Sequence, residues 1–266
     1  MIIFYHFEVP VLKSCLTFVV ITAFCFPLAA KDATSTLTMC IDHYPPLQVV
    51  LPNGAATGAN VEVTRQFMQH LGYKLDFTAD TPFKRCLQLL KEGEVDLMAG
   101  LLDSEQRQQD YHMFLYDDHT VKAFFINNNV DDITHFSDLA GLNIGVVQGT
   151  RQFEQFDEAD STFFTRTYTD SLPIAFEMLA KGEVDAVVST DYYGKNILAR
   201  HPEYRETIRQ SSYKVIDGTK VYIALSRQSE YAVDASRMNQ KAIEMFLSGE
   251  FETLTIEFQK NHHGLY

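Results

Sequence analysis

Apolar residues along the chain fall into two alternating rhythms. Thr36 to Ile41 reads as a short strand, the turn Tyr44-Pro45-Pro46 follows, and a second apolar run, Leu47 to Leu51, closes on Asn53-Gly54. From about Asn60 to Leu71, Val61, Val63, Phe67, Met68 and Leu71 lie near helical spacing, and Gly72 stands where a left-handed cap favours glycine. Tyr73 to Thr78 alternates as a strand does, and a further helix is expected to start near Pro82. Strand, helix, strand in that order predicts an α/β fold with a largely parallel sheet.

A repeat then organises the rest. Gly-Glu-Val-Asp occurs at Gly93 to Asp96 and again at Gly182 to Asp185, each time after a helical run (Leu89-Leu90-Lys91, Met178-Leu179-Ala180-Lys181) and before an apolar one (Leu97-Met98-Ala99, Ala186-Val187-Val188). Each copy reads as a helix, a glycine cap and a buried strand, which points to two similar lobes. The alternative is two ordinary helix-to-strand joints within one sheet. An apolar strand at Val121 to Ile126 leads to the polar break Asn127-Asn128-Asn129. The second unit then holds a strand at Asn143 to Val147, a helix at Leu172 to Lys181 and a helix through Asp191 to Arg200. Another strand, Lys220 to Leu225, precedes helices at about Ala232 to Leu247 and Phe251 to Lys260. If the chain crosses between lobes at 121–126 and 218–225, those segments form a hinge. The expected division is residues 31–123 with 219–266 in one lobe and 124–218 in the other.

The start of the chain has a different character. Leu16 to Ala30 is apolar, follows Lys13 and precedes the polar stretch Lys31 to Ser35. It is shorter than the roughly 20 residues of a spanning helix and suits a secretory signal, residues 1–30, cleaved near Ala30. Leu28 departs from the small-residue rule at that site, and an uncleaved anchor is the alternative. Export to the periplasm follows from this reading. Of four cysteines, Cys40 and Cys86 would remain in an oxidising compartment, where a disulfide would tie the first strand to the second helix. The alternative is two small buried hydrophobic side chains.

With 35 acidic and 22 basic residues the formal net charge is -13, which argues against a nucleic-acid partner. The 46% hydrophobic content is ample for packed cores. No Ser-His-Asp order or His-Glu-x-x-His motif appears, and the histidines are scattered, with His262-His263 the one adjacent pair. No catalytic residue, metal or cofactor is expected.

These segments together match a known pattern. Tyr44-Pro45-Pro46, Thr57 to Glu62, Pro82-Phe83-Lys84-Arg85-Cys86-Leu87, Gly93 through Gly100, Ser104-Glu105-Gln106-Arg107, Ser137 through Thr150 and Gly182 to Val188 occur in the order and spacing of one family. The chain resembles the family 3 solute-binding proteins, periplasmic receptors for polar amino acids and related molecules that feed ABC importers. The resemblance implies the two-lobed, type II periplasmic-binding-protein fold: α/β, with mixed, largely parallel sheets and a double-crossover hinge. It further implies a monomer that closes on a small ligand and docks on a membrane permease.

In such sheets ligands bind beyond the carboxyl ends of the strands. Here those ends are Cys40 to Tyr44, Gly100-Leu101-Leu102, Gly149-Thr150-Arg151-Gln152 and Ser189-Thr190-Asp191. Arg107 offers a planar fork for a carboxylate, and the matching arginine of the family holds the ligand's α-carboxylate. A surface arginine is the alternative. Gly149-Thr150, read as a helix start, offers backbone N–H groups to an anion, or serves as a plain cap. Tyr44 and Phe83 are candidate apolar walls or core residues, and Arg85 belongs to the same motif as Phe83. One departure bears on the ligand: Thr190 stands about where relatives that grip an α-amino group carry an aspartate, with Asp191 next to it. An enzyme on the same fold, of the cyclohexadienyl-dehydratase kind, and a sensory receptor are the competing functions.

Overall fold

The computed structural model describes residues 1–3 and 35–262, and for Asp217 and Gly218 the backbone alone; most of the expected leader lies outside the described residues. Among the described residues the strands are β1 (Thr36–Ile41), β2 (Val49–Val50), β3 (Ala56–Thr57), β4 (Lys74–Asp80), β5 (Leu97–Leu102), β6 (Tyr111–Asn127), β7 (Asn143–Val147), β8 (Thr165–Thr169), β9 (Ala186–Thr190) and β10 (Ile208–Ser226). The helices are α1 (Ala59–His70), α2 (Phe83–Glu92), α3 (Glu105–Asp110), α4 (Glu154–Asp157), α5 (Leu172–Lys181), α6 (Asp191–Arg200), α7 (Ala235–Leu247) and α8 (Glu250–Asn261).

Eight strands form one sheet in the order β4-β1-β5-β10-β6-β9-β7-β8, and β2 pairs with β3 in a small hairpin. Pairing is parallel on both flanks, β4-β1-β5 and β9-β7-β8. It is antiparallel at the centre, where β6 and β10 run alongside one another from one lobe into the other. Helices cover both faces, so β5 (Leu-Met-Ala-Gly-Leu-Leu) and β9 (Ala-Val-Val-Ser-Thr) are apolar runs without alternation. Four buried clusters result. Two centre on Phe67 and Phe114 and on Cys86 and Leu101 in the first lobe; two centre on Phe125 and Phe176 and on Phe124 and Phe164 in the second.

The repeat is structural. Gly93 and Gly182 end α2 and α5 with φ of 75° and 73°. In both places the following glutamate N–H bonds back to a helix carbonyl, Leu89 or Met178, at 2.9 Å. The aspartate of each copy then pins the first strand of its lobe: the Asp96 carboxylate accepts from Thr38 N–H at 2.8 Å, and that of Asp185 from Asn143 N–H at 2.7 Å. One local motif thus sets helix end, strand start and strand register twice.

The crossing strands are longer than the hydrophobic pattern predicts. β6 begins at Tyr111, ten residues before the expected Val121, and β10 begins at Ile208, twelve before Lys220. The polar stretches within them remain paired because each strand is the other's partner across the junction. The register there is irregular, Val221 facing Asp117, Thr219 facing Thr120 and Val215 facing Lys122. Pairing of β6 with β9 starts at Lys122. A disulfide joins Cys40 of β1 to Cys86 of α2, with Cα atoms 5.6 Å apart. No helix among the described residues is long and apolar enough to cross a membrane.

Candidate functional site

The carboxyl ends of β1, β5, β7 and β9 converge on a cavity of about 660 Å³ between the lobes, large enough for a small-molecule ligand. Tyr44, after β1, reaches across it. Its ring stacks on Tyr193 of α6 with centroids 4.4 Å apart, and its hydroxyl hydrogen-bonds Thr190 Oγ1 at 2.9 Å. Burial pushes the Tyr44 hydroxyl up to about 12, so it stays protonated.

Arg107, within α3, is 7% exposed and lines the cavity. Ser104 caps that helix by accepting the Arg107 N–H, which fixes the arginine's backbone. Its Nη1 donates to Leu102 O at 2.6 Å and its Nη2 to Gly149 O of the other lobe at 2.9 Å, and the guanidinium lies 5.9 Å from the Phe83 ring centre. Burial, then the nearby Arg151, pull its pKa down to about 10, where it remains a cation at neutral pH. Arg107 therefore binds and spans both lobes, with three of its five N–H donors not committed to these bonds.

The other residues expected at the cleft divide. Phe83, Gly100, Leu102, Thr150, Arg151, Thr190 and Asp191 line the cavity with Tyr44 and Arg107. Gly100 (φ 81°) stands so close to Asn60 that a Cβ there would sit 3.3 Å from the amide nitrogen. Leu101 points the other way, fully buried in the first-lobe core. Arg85 faces outward toward Glu92 and Glu94, 3.9 and 3.8 Å away, because Phe83, Cys86 and Leu90 occupy the buried face of α2. Gly149 contributes its carbonyl to Arg107 and lies against Lys84 and Leu87. No helix starts at Gly149-Thr150: the chain turns there, Thr150 N–H and Oγ1 both return to Val147 O, and the four-residue α4 begins at Glu154. The Thr150 N–H is thus already spent on the turn.

Asp191 is committed elsewhere. It accepts from Lys195 at 2.5 Å, from Lys214 at 3.0 Å and from Gln210, and these bonds hold its carboxyl below the usual range against the burial that raises it. Thr190 caps α6 through Tyr193 N–H.

Further polar residues line the cavity; Asp42 and Gln152 fall within the strand ends expected there, whereas Gln48 and Lys122 were not anticipated. Asp42, next after β1, is pushed up to about 7 by burial, while Gln48 Nε2 donates to its Oδ1 at 2.8 Å. Gln48 is 2% exposed and its Oε1 has no partner among the described residues. Lys122 of β6 is 7% exposed, and burial pulls it down to about 8. Its Nζ donates to Gln152 Oε1 at 3.1 Å, and Gln152 is itself buried. The signal for Lys122 was present, since it is the one charge in the apolar run Val121 to Ile126. Nothing local marks Gln48. The cavity thus has an acceptor pole, Asp42 with Gln48, and a cationic pole, Arg107 with Lys122 and Arg151. Among the described residues, Asp117, Asp118 and His119 alone bring three metal-ligand atoms within 4.8 Å, and Asp117 already accepts from Thr120 and from His119 N–H.

Residues 37–211 match the family described as bacterial extracellular solute-binding proteins, family 3. The chain is 26% identical over 187 residues to a probable histidine-binding protein of Campylobacter jejuni, spanning 67% of this chain and 72% of that one. It is 24% identical over 211 residues to a putative sensor protein of Shewanella frigidimarina, spanning 76% of this chain but 30% of the sensor. Among solved structures, an ancestral arginine-binding protein bound to arginine superposes with a TM-score of 0.71 at 22% identity, covering 84% of this chain and 98% of that one.

Proposed function

This chain belongs to the bacterial extracellular solute-binding proteins, family 3, and from that premise we propose that it captures a small amino acid or related carboxylate in the inter-lobe cavity and delivers it to an ABC-type importer in the periplasm. The observation that carries the reading is Arg107, a buried cation that lines the cavity and bonds to both lobes. A carboxylate on its remaining donors would join the lobes through charge-assisted bonds and favour the closed form. Gln48 Oε1 and Asp42 at the acceptor pole suit a ligand ammonium, a role that Asp191, engaged by two lysines, does not fill. The reading of a binder draws on the family and on the probable histidine-binding relative.

Calorimetry with a panel of amino acids, amines and small carboxylates tests it. At least one carboxylate is expected to bind with Kd below about 100 µM, and Arg107→Met to weaken it at least about 100-fold. No binding across the panel sinks the reading. A second reading, a receptor that signals to a membrane partner, draws on the match to part of the sensor protein. Loss of uptake of the bound solute on gene deletion favours import, and unchanged uptake favours signalling.

A further inference from the structure

The charge left unanswered in the cavity is that of Lys122. Its Nζ makes one hydrogen bond, to Gln152 Oε1, and among the described residues it forms no ion pair. An ammonium carries three donors, and one buried with no carboxylate at ion-pair distance, only Asp157 acting on it from farther off, is costly to the fold. Gln152 is fixed in orientation, because its Nε2 donates to Thr150 Oγ1 at 2.9 Å and so turns its oxygen to the lysine. Its backbone N–H donates to Asp157 Oδ1 at 3.1 Å, and Asp157 also pairs with Arg151 at 3.4 Å. The pole therefore sets three cations, Arg107, Lys122 and Arg151, against two carboxylates, Asp157 and, beside Arg107, Asp103. Strand pairing offers no reason for the charge: its partners across the sheet, Thr190 and Val215, are uncharged, and Ala123 to Ile126 beyond it are fully buried and apolar. A cation kept where the fold would prefer none, facing a ligand-sized cavity, marks a binding contact.

We propose that Lys122 holds a second anionic group of the ligand, so that the cleft takes an acidic amino acid or small dicarboxylic acid, one carboxylate on Arg107 and the other on Lys122. This rests on the reading of the cavity as a carboxylate site and narrows it. Lys122 lies where β6 passes from one lobe to the other, and Arg107 lies in the first lobe against Gly149 of the second. A diacid would neutralise both cations, and a monoacid would leave one of them buried and uncompensated.

The test is calorimetry at pH 7.5 with L-glutamate, L-aspartate and glutarate against L-glutamine, L-histidine and L-arginine, on the wild-type chain, Lys122→Met and Lys122→Gln. The wild type is expected to bind at least one diacid at least 30-fold more tightly than L-glutamine. Lys122→Met is expected to erase that preference while the unliganded melting temperature rises, because a buried unpaired charge has gone. Lys122→Gln serves as the second neutral variant, with near-ultraviolet circular dichroism to check its fold. If the neutral amino acids or L-arginine bind and the diacids do not, or if either folded variant keeps the diacid preference, the Lys122 assignment is overturned and the broader reading stands. If none of the six ligands binds, the amino-acid reading falls, and this assignment with it.

Discussion

The two lobes are alike at one end of their strands and unlike at the other. At the amino ends, Gly93 to Asp96 and Gly182 to Asp185 repeat the same cap, the same backward bond from the glutamate N–H and the same carboxylate grip on the leading strand. At the carboxyl ends, β1 runs into Asp42 and Tyr44 and is stapled to α2 by Cys40–Cys86, whereas β7 runs into a turn that supplies Thr150, Arg151 and Gln152. The ends that build the fold keep one solution, and the ends that line the cavity diverge, as expected when a site is grafted onto a scaffold.

The staple offers the largest break in this comparison. The cysteines are 46 residues apart, and a loop of that length is worth about 4 kcal/mol in the chain-entropy account. Reduction, or Cys40→Ser with Cys86→Ser, is expected to lower the urea midpoint accordingly. Hydrogen exchange should show protection falling in β1, β4 and α2 before β7 and β8. Equal loss in both lobes would mean that they unfold as one unit and that the staple is not local in effect.

Asp42 comes next. Its ordinary value is 3.8 and the folded value is about 7, so the folded state holds the proton more tightly. Its contribution to stability is then full below pH 3.8, falls as pH rises toward 7 and is flat above. A shift of three units is worth on the order of 4 kcal/mol, part of which asparagine should recover. Asp42→Asn is therefore expected to exceed the wild type in unfolding free energy at pH 7.5, with the gap closing by pH 4. A gap that does not change with pH would show that Asp42 is ionised at little cost.

The smallest effect tests the repeat itself. Gly93 and Gly182 share the left-handed conformation, so alanine should cost about 1 kcal/mol at each. A Cβ at Gly93 would also come within 2.7 Å of Gln228 Cβ, while at Gly182 the nearest atom is Asn127 Nδ2 at 3.9 Å. Gly93→Ala should thus lower the urea midpoint about twice as far as Gly182→Ala or more. Equal shifts would mean that Gln228 moves aside freely.

What was legible in the chain follows from range. The helices after Asn60, Pro82 and Leu172 were readable because their apolar spacing and glycine caps lie within a few residues of one another. Arg107, Tyr44 and Phe83 were found through the order and spacing of family motifs, and all three line the cavity. Arg85 shares a motif with Phe83 but lies two positions along the helix, about 200° around it, and so faces solvent. The full lengths of β6 and β10 escaped because Asp117 to Thr120 reads as a loop, and only the partner strand makes it extended.

The sequence alone determined the alternation of strands and helices, the twin joints and the family, since each rests on local periodicity or on motifs in order. Only the tertiary structure decided which charges face one another. It engaged Asp191 with Lys195 and Lys214, tied Arg107 across both lobes, and placed Lys122 in the cavity beside Gln152. Apart from the local i,i+4 pair of Asp191 with Lys195, those outcomes depend on contacts between residues tens of positions apart, whose energies are set by burial and geometry that no local pattern encodes.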